Sequence, residues 1–132
     1  MPMNTGKYAH IEKDEFPLIK IIFSGTAANQ DNFTAYLADL QELYANKEQI
    51  AILFDASKAV FPGIKFQQQQ ADWLKNNDQL IKDYCLATAY VIPNLIIRNV
   101  LKGIFKLQKQ PVPYFVCSEI TKAKDWLKQK LQ

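Results

Sequence analysis

Ile50-Ala51-Ile52-Leu53-Phe54-Asp55-Ala56-Ser57 is the stretch that decides the fold. Its apolar run from Ile50 to Phe54 is unbroken and too short for a buried helix. It reads as a strand covered on both faces, the kind found in parallel sheets flanked by helices. Asp55-Ala56-Ser57 closes the strand. A loop from Lys58 to Gly63 then leads into a helix predicted from about Ile64 to Tyr84, with Phe66, Trp73, Leu74, Ile81 and Tyr84 along one stripe. The four glutamines Gln67 to Gln70 read as a solvated part of that helix, since glutamine is a fair helix former.

Upstream, Leu18 to Phe23 (Leu-Ile-Lys-Ile-Ile-Phe) is β-branched and apolar, a strand that Ser24-Gly25 closes. Lys7 to Glu12 alternates polar and apolar residues as an edge strand does, and the charged run Glu12 to Glu15 reads as the turn after it. From Asn29 or Asp31, both good N-caps, the period changes to 3.6. Phe33, Tyr36, Leu37, Leu40 and Tyr44 then share one helical face, and Asn46-Lys47 ends it.

Downstream, Leu86 to Ile92 is another apolar strand, stopped by Pro93. Asn94 can cap a helix over Leu95 to Leu107. Its apolar arc covers about half the circumference, opposite a narrow basic stripe of Arg98, Lys102, Lys106 and Lys109. Pro111 and Pro113 flank the turn into a last strand, Tyr114 to Cys117. Ser118 then caps a final helix with Ile120, Ala123, Leu127 and Leu131 inward.

The order β-β-α-β-α-β-α-β-α implies an α/β fold: a mostly parallel mixed sheet of about five strands with four helices and right-handed crossovers. The first strand is expected at an edge. No linker or repeat interrupts the chain, so residues 1–132 are expected to form a single domain. A chain this long buries roughly 65–70% of its extended surface and needs no metal or disulfide staple.

Met1 to Lys7 has no apolar segment of the secretory type, and no run is long and apolar enough to span a bilayer, so the expected location is cytoplasmic. Cys85 and Cys117 fall at opposite ends of adjacent parallel strands. For five-residue strands that is roughly 15 Å apart, beyond the ~7 Å of a disulfide, so two free thiols are expected. Residues 1–93 hold eight lysines and eleven acidic residues, whereas residues 94–132 hold eight basic residues against Glu119 and Asp125. The basic third is either a solvated face or an attraction for an anionic partner; no nucleic acid is expected.

Ligands of open α/β sheets sit beyond the carboxyl ends of the strands. That edge collects Ser24-Gly25, Asp55, Ser57, Asn94 and Ser118, small polar residues that serve either as caps or as ligands of an anion at helix N-termini. Four glycines are too few for a phosphate-binding glycine loop, and the single histidine, His10, lies on the edge strand away from any nucleophile. No catalytic residue, metal set or cofactor can be assigned. Asp55 could act as a nucleophile or base, but no spacing supplies it with a partner.

The loop residues Phe61, Pro62, Ile64 and Phe66 are apolar where loops are normally polar. They are either a partner-binding patch or a segment folded back into the core.

The strand–Asp-x-Ser–loop–helix segment, with the alternating order around it, resembles the SpoIIAA-like fold. That fold is best known from STAS domains, among them anti-sigma-factor antagonists and the cytoplasmic domains of sulfate transporters, and also from uncharacterised bacterial proteins. Asp55 and Ser57 match the family's strand-end pair. The turn that carries the phosphoacceptor hydroxyl in the family reads Phe61-Pro62-Gly63-Ile64 here, without a hydroxyl. The resemblance implies a non-enzymatic regulatory domain that binds a protein partner through this loop and helix. A carrier or sensor of a small anionic or lipid-like ligand at the strand-end crevice is the alternative. The broad apolar arc of Leu95–Leu107 is expected to be covered either by the neighbouring long helix or by a second copy; a homodimer is the favoured reading, with Ile97, Leu101, Ile104 and Phe105 divided between core and interface and the basic stripe in solvent.

Overall fold

The computed structural model describes residues 6–107 and 109–132, apart from the side chains of Ile104 and Leu107. Chain order gives β1 (Ala9–Glu15), β2 (Leu18–Phe23), α1 (Gln30–Glu42), β3 (Ile50–Asp55), α2 (Ile64–Asn76), α3 (Asp78–Tyr84), β4 (Cys85–Val91), α4 (Leu95–Leu107), β5 (Tyr114–Cys117) and α5 (Ile120–Lys130). The five strands form one sheet in the order β1-β2-β3-β4-β5. Only the β1–β2 hairpin is antiparallel; β2, β3, β4 and β5 are parallel neighbours.

Parallel strands laid down in chain order carry every right-handed crossover to the same face of the sheet. On that face α1, α2 and α3 cover Ile19, Ile21, Ile50, Ile52 and Phe54. At its β5 side Phe105 of α4 meets the rings of Tyr90 (5.1 Å) and Tyr114 (4.9 Å). The opposite face is covered by α5. Ala51, Ala87 and Ala89 pave it and Ala123 comes down from α5, so the helix and sheet backbones approach closely while Leu53 and Leu127 are fully buried. The period-2 alternation of β3 is what divides it, Ile52 and Phe54 to one core and Ala51 and Leu53 to the other.

Three boundaries differ from the sequence expectation. The helix expected from Ile64 to Tyr84 is two helices, which raises the count from four to five. Asn77 interrupts it at φ −113, ψ 16, with its Nδ2 donating to the Trp73 carbonyl at 2.8 Å. An asparagine side chain that takes a backbone acceptor competes with the helix ladder, and the chain re-enters helix as α3 at Asp78. Second, β1 runs on through the charged residues Glu12 to Glu15, and the hairpin turns at Phe16–Pro17. Glu12, Lys13 and Asp14 are exposed and Glu15 accepts from Lys124 of α5 at 2.6 Å, and such a charged edge strand discourages pairing with other chains. Third, Glu119 rather than Ser118 occupies the N-cap of α5. Asn29 caps α1 as expected, in a reciprocal capping box with Asn32.

Both cysteines are free and buried at opposite strand ends, Cys85 beside Ile50 and Cys117 beside Val91. His10 is exposed on β1. No helix among the described residues is long and apolar enough to cross a membrane.

Candidate functional site

The register brings the ends of the central strands into line, since Asp55 pairs with Val91 and Val91 with Cys117. Asp55, Asn94 and Ser118 therefore do share the carboxyl edge of the sheet. Their polar atoms serve local needs there. Asp55 Oδ1 accepts from the Ser57 hydroxyl at 2.6 Å and from the Ser57 amide at 3.1 Å, a self-contained turn. Asn94 Oδ1 accepts from the Ile97 amide at 3.1 Å and so caps α4. Ser118 is half-buried between Cys117, whose thiol donates to the Glu119 carbonyl, and the cap of α5. Among the described residues no three His, Cys, Asp or Glu side chains are grouped to hold a metal ion.

The apolar loop is divided. Phe66 is half-buried against Phe33, with ring centroids 5.3 Å apart and the Lys65 ammonium over its outer side. Pro62 is half-buried and its carbonyl accepts from Gln67 Nε2 at 2.7 Å. Tyr8 donates its hydroxyl to the Val60 carbonyl. Between these anchors the loop turns outward, leaving Phe61 55% and Ile64 85% exposed. The β2 exit supports it from below: Gly25 sits at φ +88, and a Cβ there would meet the Lys58 carbonyl at 3.2 Å. Glycine meets both demands.

A second apolar group lies on α4, just beyond the end of the neighbouring strand. Arg98, Leu101 and Phe105 are its half-buried residues, and at about 100° per residue they occupy one narrow sector. Its other described side chains face out, with Leu95 59% and Ile96 74% exposed and Val100 about half exposed. Lys102 and Lys106 are exposed as the sequence suggested, but Arg98 is not part of a solvated stripe. Its Nη1 donates to the carbonyls of Ile92 (2.9 Å) and Pro93 (3.2 Å), which ties α4 to the exit of β4. Unmet carbonyls at a strand end draw a guanidinium inward, an effect that a helical projection cannot display. Of the residues expected to divide between core and interface, Phe105 and Leu101 lean inward and Ile97 outward; the Ile104 side chain lies outside the described residues.

Sequence reasoning treated Gln67 to Gln70 alike, and the structure separates them. Gln68 pairs with Asp72, and Gln69 exchanges hydrogen bonds with Gln30 of α1. Gln70 turns toward an interior cavity between the sheet and the helices. Nothing in the local pattern marks Gln70 as different.

No protein-family model matches the chain, and no curated protein matches it. Among solved structures it is similar to an uncharacterised protein of the DUF3478 family with a SpoIIAA-like fold from Shewanella loihica PV-4. The TM-score is 0.70 at 13% identity, over 96% of this chain and 98% of that one. The chain has a SpoIIAA-like fold.

Proposed function

We propose that the protein is a non-enzymatic interaction domain, and that a protein partner docks on the apolar surface at the carboxyl edge of its sheet. One observation carries this reading. Two segments that leave adjacent strands, the Val60–Ile64 loop after β3 and the first turns of α4 after β4, each turn large apolar side chains away from the core. A patch of this kind is costly to leave in water and marks an interaction site. Aliphatic and aromatic residues at its centre, with lysines at its margin, match the anatomy of a protein interface.

A second reading rests on Lys102 and Lys106, which are exposed on the same helix as Ile96 and Val100. A helix with adjoining apolar and cationic strips can lie on an anionic bilayer or hold an amphiphile. A photo-crosslinking residue placed in turn at Ile64, Ile96 and, as control, Thr121 on α5 separates the two in cells. Discrete protein adducts at Ile64 and Ile96, lost on Phe61→Asp and absent at Thr121, are the expected result. Lipid adducts alone, with co-sedimentation on phosphatidylserine vesicles, would replace the protein reading by the membrane one.

A further inference from the structure

We infer that the partner segment docking on this edge is an acidic amphipathic helix, laid along the outer face of α4. The inference rests on the protein-docking reading above and names the chemistry of that partner. Charge around the patch is of one sign. The stretches 56–71 and 93–118, which carry the exposed apolar residues, hold Lys58, Lys65, Arg98, Lys102, Lys106 and Lys109 and no aspartate or glutamate. Arg98 is turned inward to its carbonyls, and the lysines are exposed. Other lysines of the fold have acidic partners: Lys82 pairs with Asp78 at 2.8 Å, Lys122 with Glu119 at 3.2 Å and Lys124 with Glu15 at 2.6 Å. Among the described residues, no lysine of the patch has an ion pair of its own. A surface that buries apolar groups inside such a rim is complementary to a partner that brings carboxylates.

The shape of α4 selects a helix. Ile96, Val100 and Gly103 follow one another at spacings of four and three, which sets them in one row, and all three are exposed. Gly103 keeps a helical backbone, and nothing lies within 4 Å of a Cβ built on it. Neither the turn of the chain nor its packing requires glycine there, and alanine would make the stronger helix. A glycine in an apolar row leaves a notch where another backbone can come close. A partner helix with apolar residues three and four apart fits such a row. Lys102 and Lys106, one turn apart on the same helix, then stand where acidic residues on its flank can meet them. A bilayer follows any apolar strip and gains nothing from the notch. A second copy brings the same cations and no acid through these two segments.

The test sequences the peptide joined to a photo-crosslinking residue at Ile96 in the full chain. The expected adduct is a protein segment of net negative charge with apolar residues three and four apart. Lys102→Glu with Lys106→Glu should lower its yield by about tenfold or more, whereas Lys102→Arg with Lys106→Arg should keep it. Gly103→Leu should abolish the adduct by filling the notch. All these positions are exposed, so the melting temperatures should stay within a few degrees of wild type, and loss of the adduct is then not loss of fold. An adduct segment without net negative charge overturns the inference and leaves the docking reading standing. So does a yield untouched by the charge reversal, or an adduct to a second copy of this chain. Absence of any protein adduct at both Ile96 and Ile64, or lipid adducts alone, removes the docking reading and the inference together.

Discussion

The guanidinium of Arg98 donates to the main-chain carbonyl of Ile92 at 2.9 Å, across the junction between β4 and α4. Ile92 in turn donates its amide to the Cys117 carbonyl, so the arginine closes a chain of contacts from helix to sheet. Its neighbours in the basic stripe, Lys102 and Lys106, are exposed. Arg98→Gln is therefore expected to cost about 1–2 kcal/mol in urea unfolding, the lower part of the range for a charged hydrogen bond because the group is half exposed. Lys102→Gln should stay within about 0.5 kcal/mol. Equal effects would return Arg98 to the solvated stripe.

The N-terminus of α1 makes a simpler test. Asn29 and Asn32 satisfy each other's backbone amides at 2.8 and 2.9 Å, and Asn32 Nδ2 also reaches the Ala27 carbonyl at 3.0 Å. Asn29→Ala should cost about 1 kcal/mol, the usual worth of an N-cap. Asn32→Ala should cost more, since it also leaves a buried position without its polar contacts. Urea midpoints at constant slope would read both.

Acidic groups of the core set an alkaline limit. Burial pushes the Cys85 thiol from its ordinary 9.0 up to about 11, against hydrogen bonds from Tyr44 and the Ala87 backbone that lower it. Burial also raises Tyr90 to about 12 and lifts Tyr36 and Tyr44 well above the usual phenol. Each group holds its proton more tightly when folded. Their contribution is complete below the unfolded pKa and is lost as pH rises toward the folded one. Stability should be flat near neutrality and fall from about pH 9, where the unfolded thiol ionises first. In Cys85→Ala the fall should begin nearer pH 10, where the tyrosines take over. An unchanged onset would show that Cys85 ionises alike in both states.

The sheet was legible because β3 and β4 are nearly continuous apolar runs and each is followed by a segment of 3.6-residue period. Those signals are local and strong, and together with the Asp55-Ala56-Ser57 turn they led to the SpoIIAA-like fold that the structural neighbour shares. The break at Asn77 was not legible, because asparagine is tolerated inside helices and a side-chain bond to the carbonyl four residues back leaves no mark in the apolar pattern. For the candidate site, the edge followed from topology, but composition left open whether the loop turns outward or folds back into the core. Which phenylalanine turns out, Phe61, and which turns in, Phe66, depended on anchors from Tyr8, Gln67 and Phe33 that lie far away in sequence or on the next helix.

The outer face of α4 bears on self-association. Leu95, Ile96, Ile97 and Val100 are exposed on it, while Leu101 and Phe105 already serve the core. A two-fold axis along this face would bring the same four residues of two chains together, and that is the commonest way for a chain to cover an apolar patch. Where the partner on this face is a second copy, sedimentation equilibrium of the wild type should show a concentration-dependent dimer. Ile96→Asp should shift the protein to monomer while changing unfolding free energy by no more than about 0.5 kcal/mol, as for an exposed position. Phe105→Ala, by contrast, should cost about 2–3 kcal/mol in the monomer itself, less than a fully buried phenylalanine, because its ring contacts with Tyr90 and Tyr114 are intramolecular. A wild type that stays monomeric at millimolar concentration would leave the face to a different protein or to a bilayer. A dimer untouched by Ile96→Asp would place the two-fold axis elsewhere on the molecule.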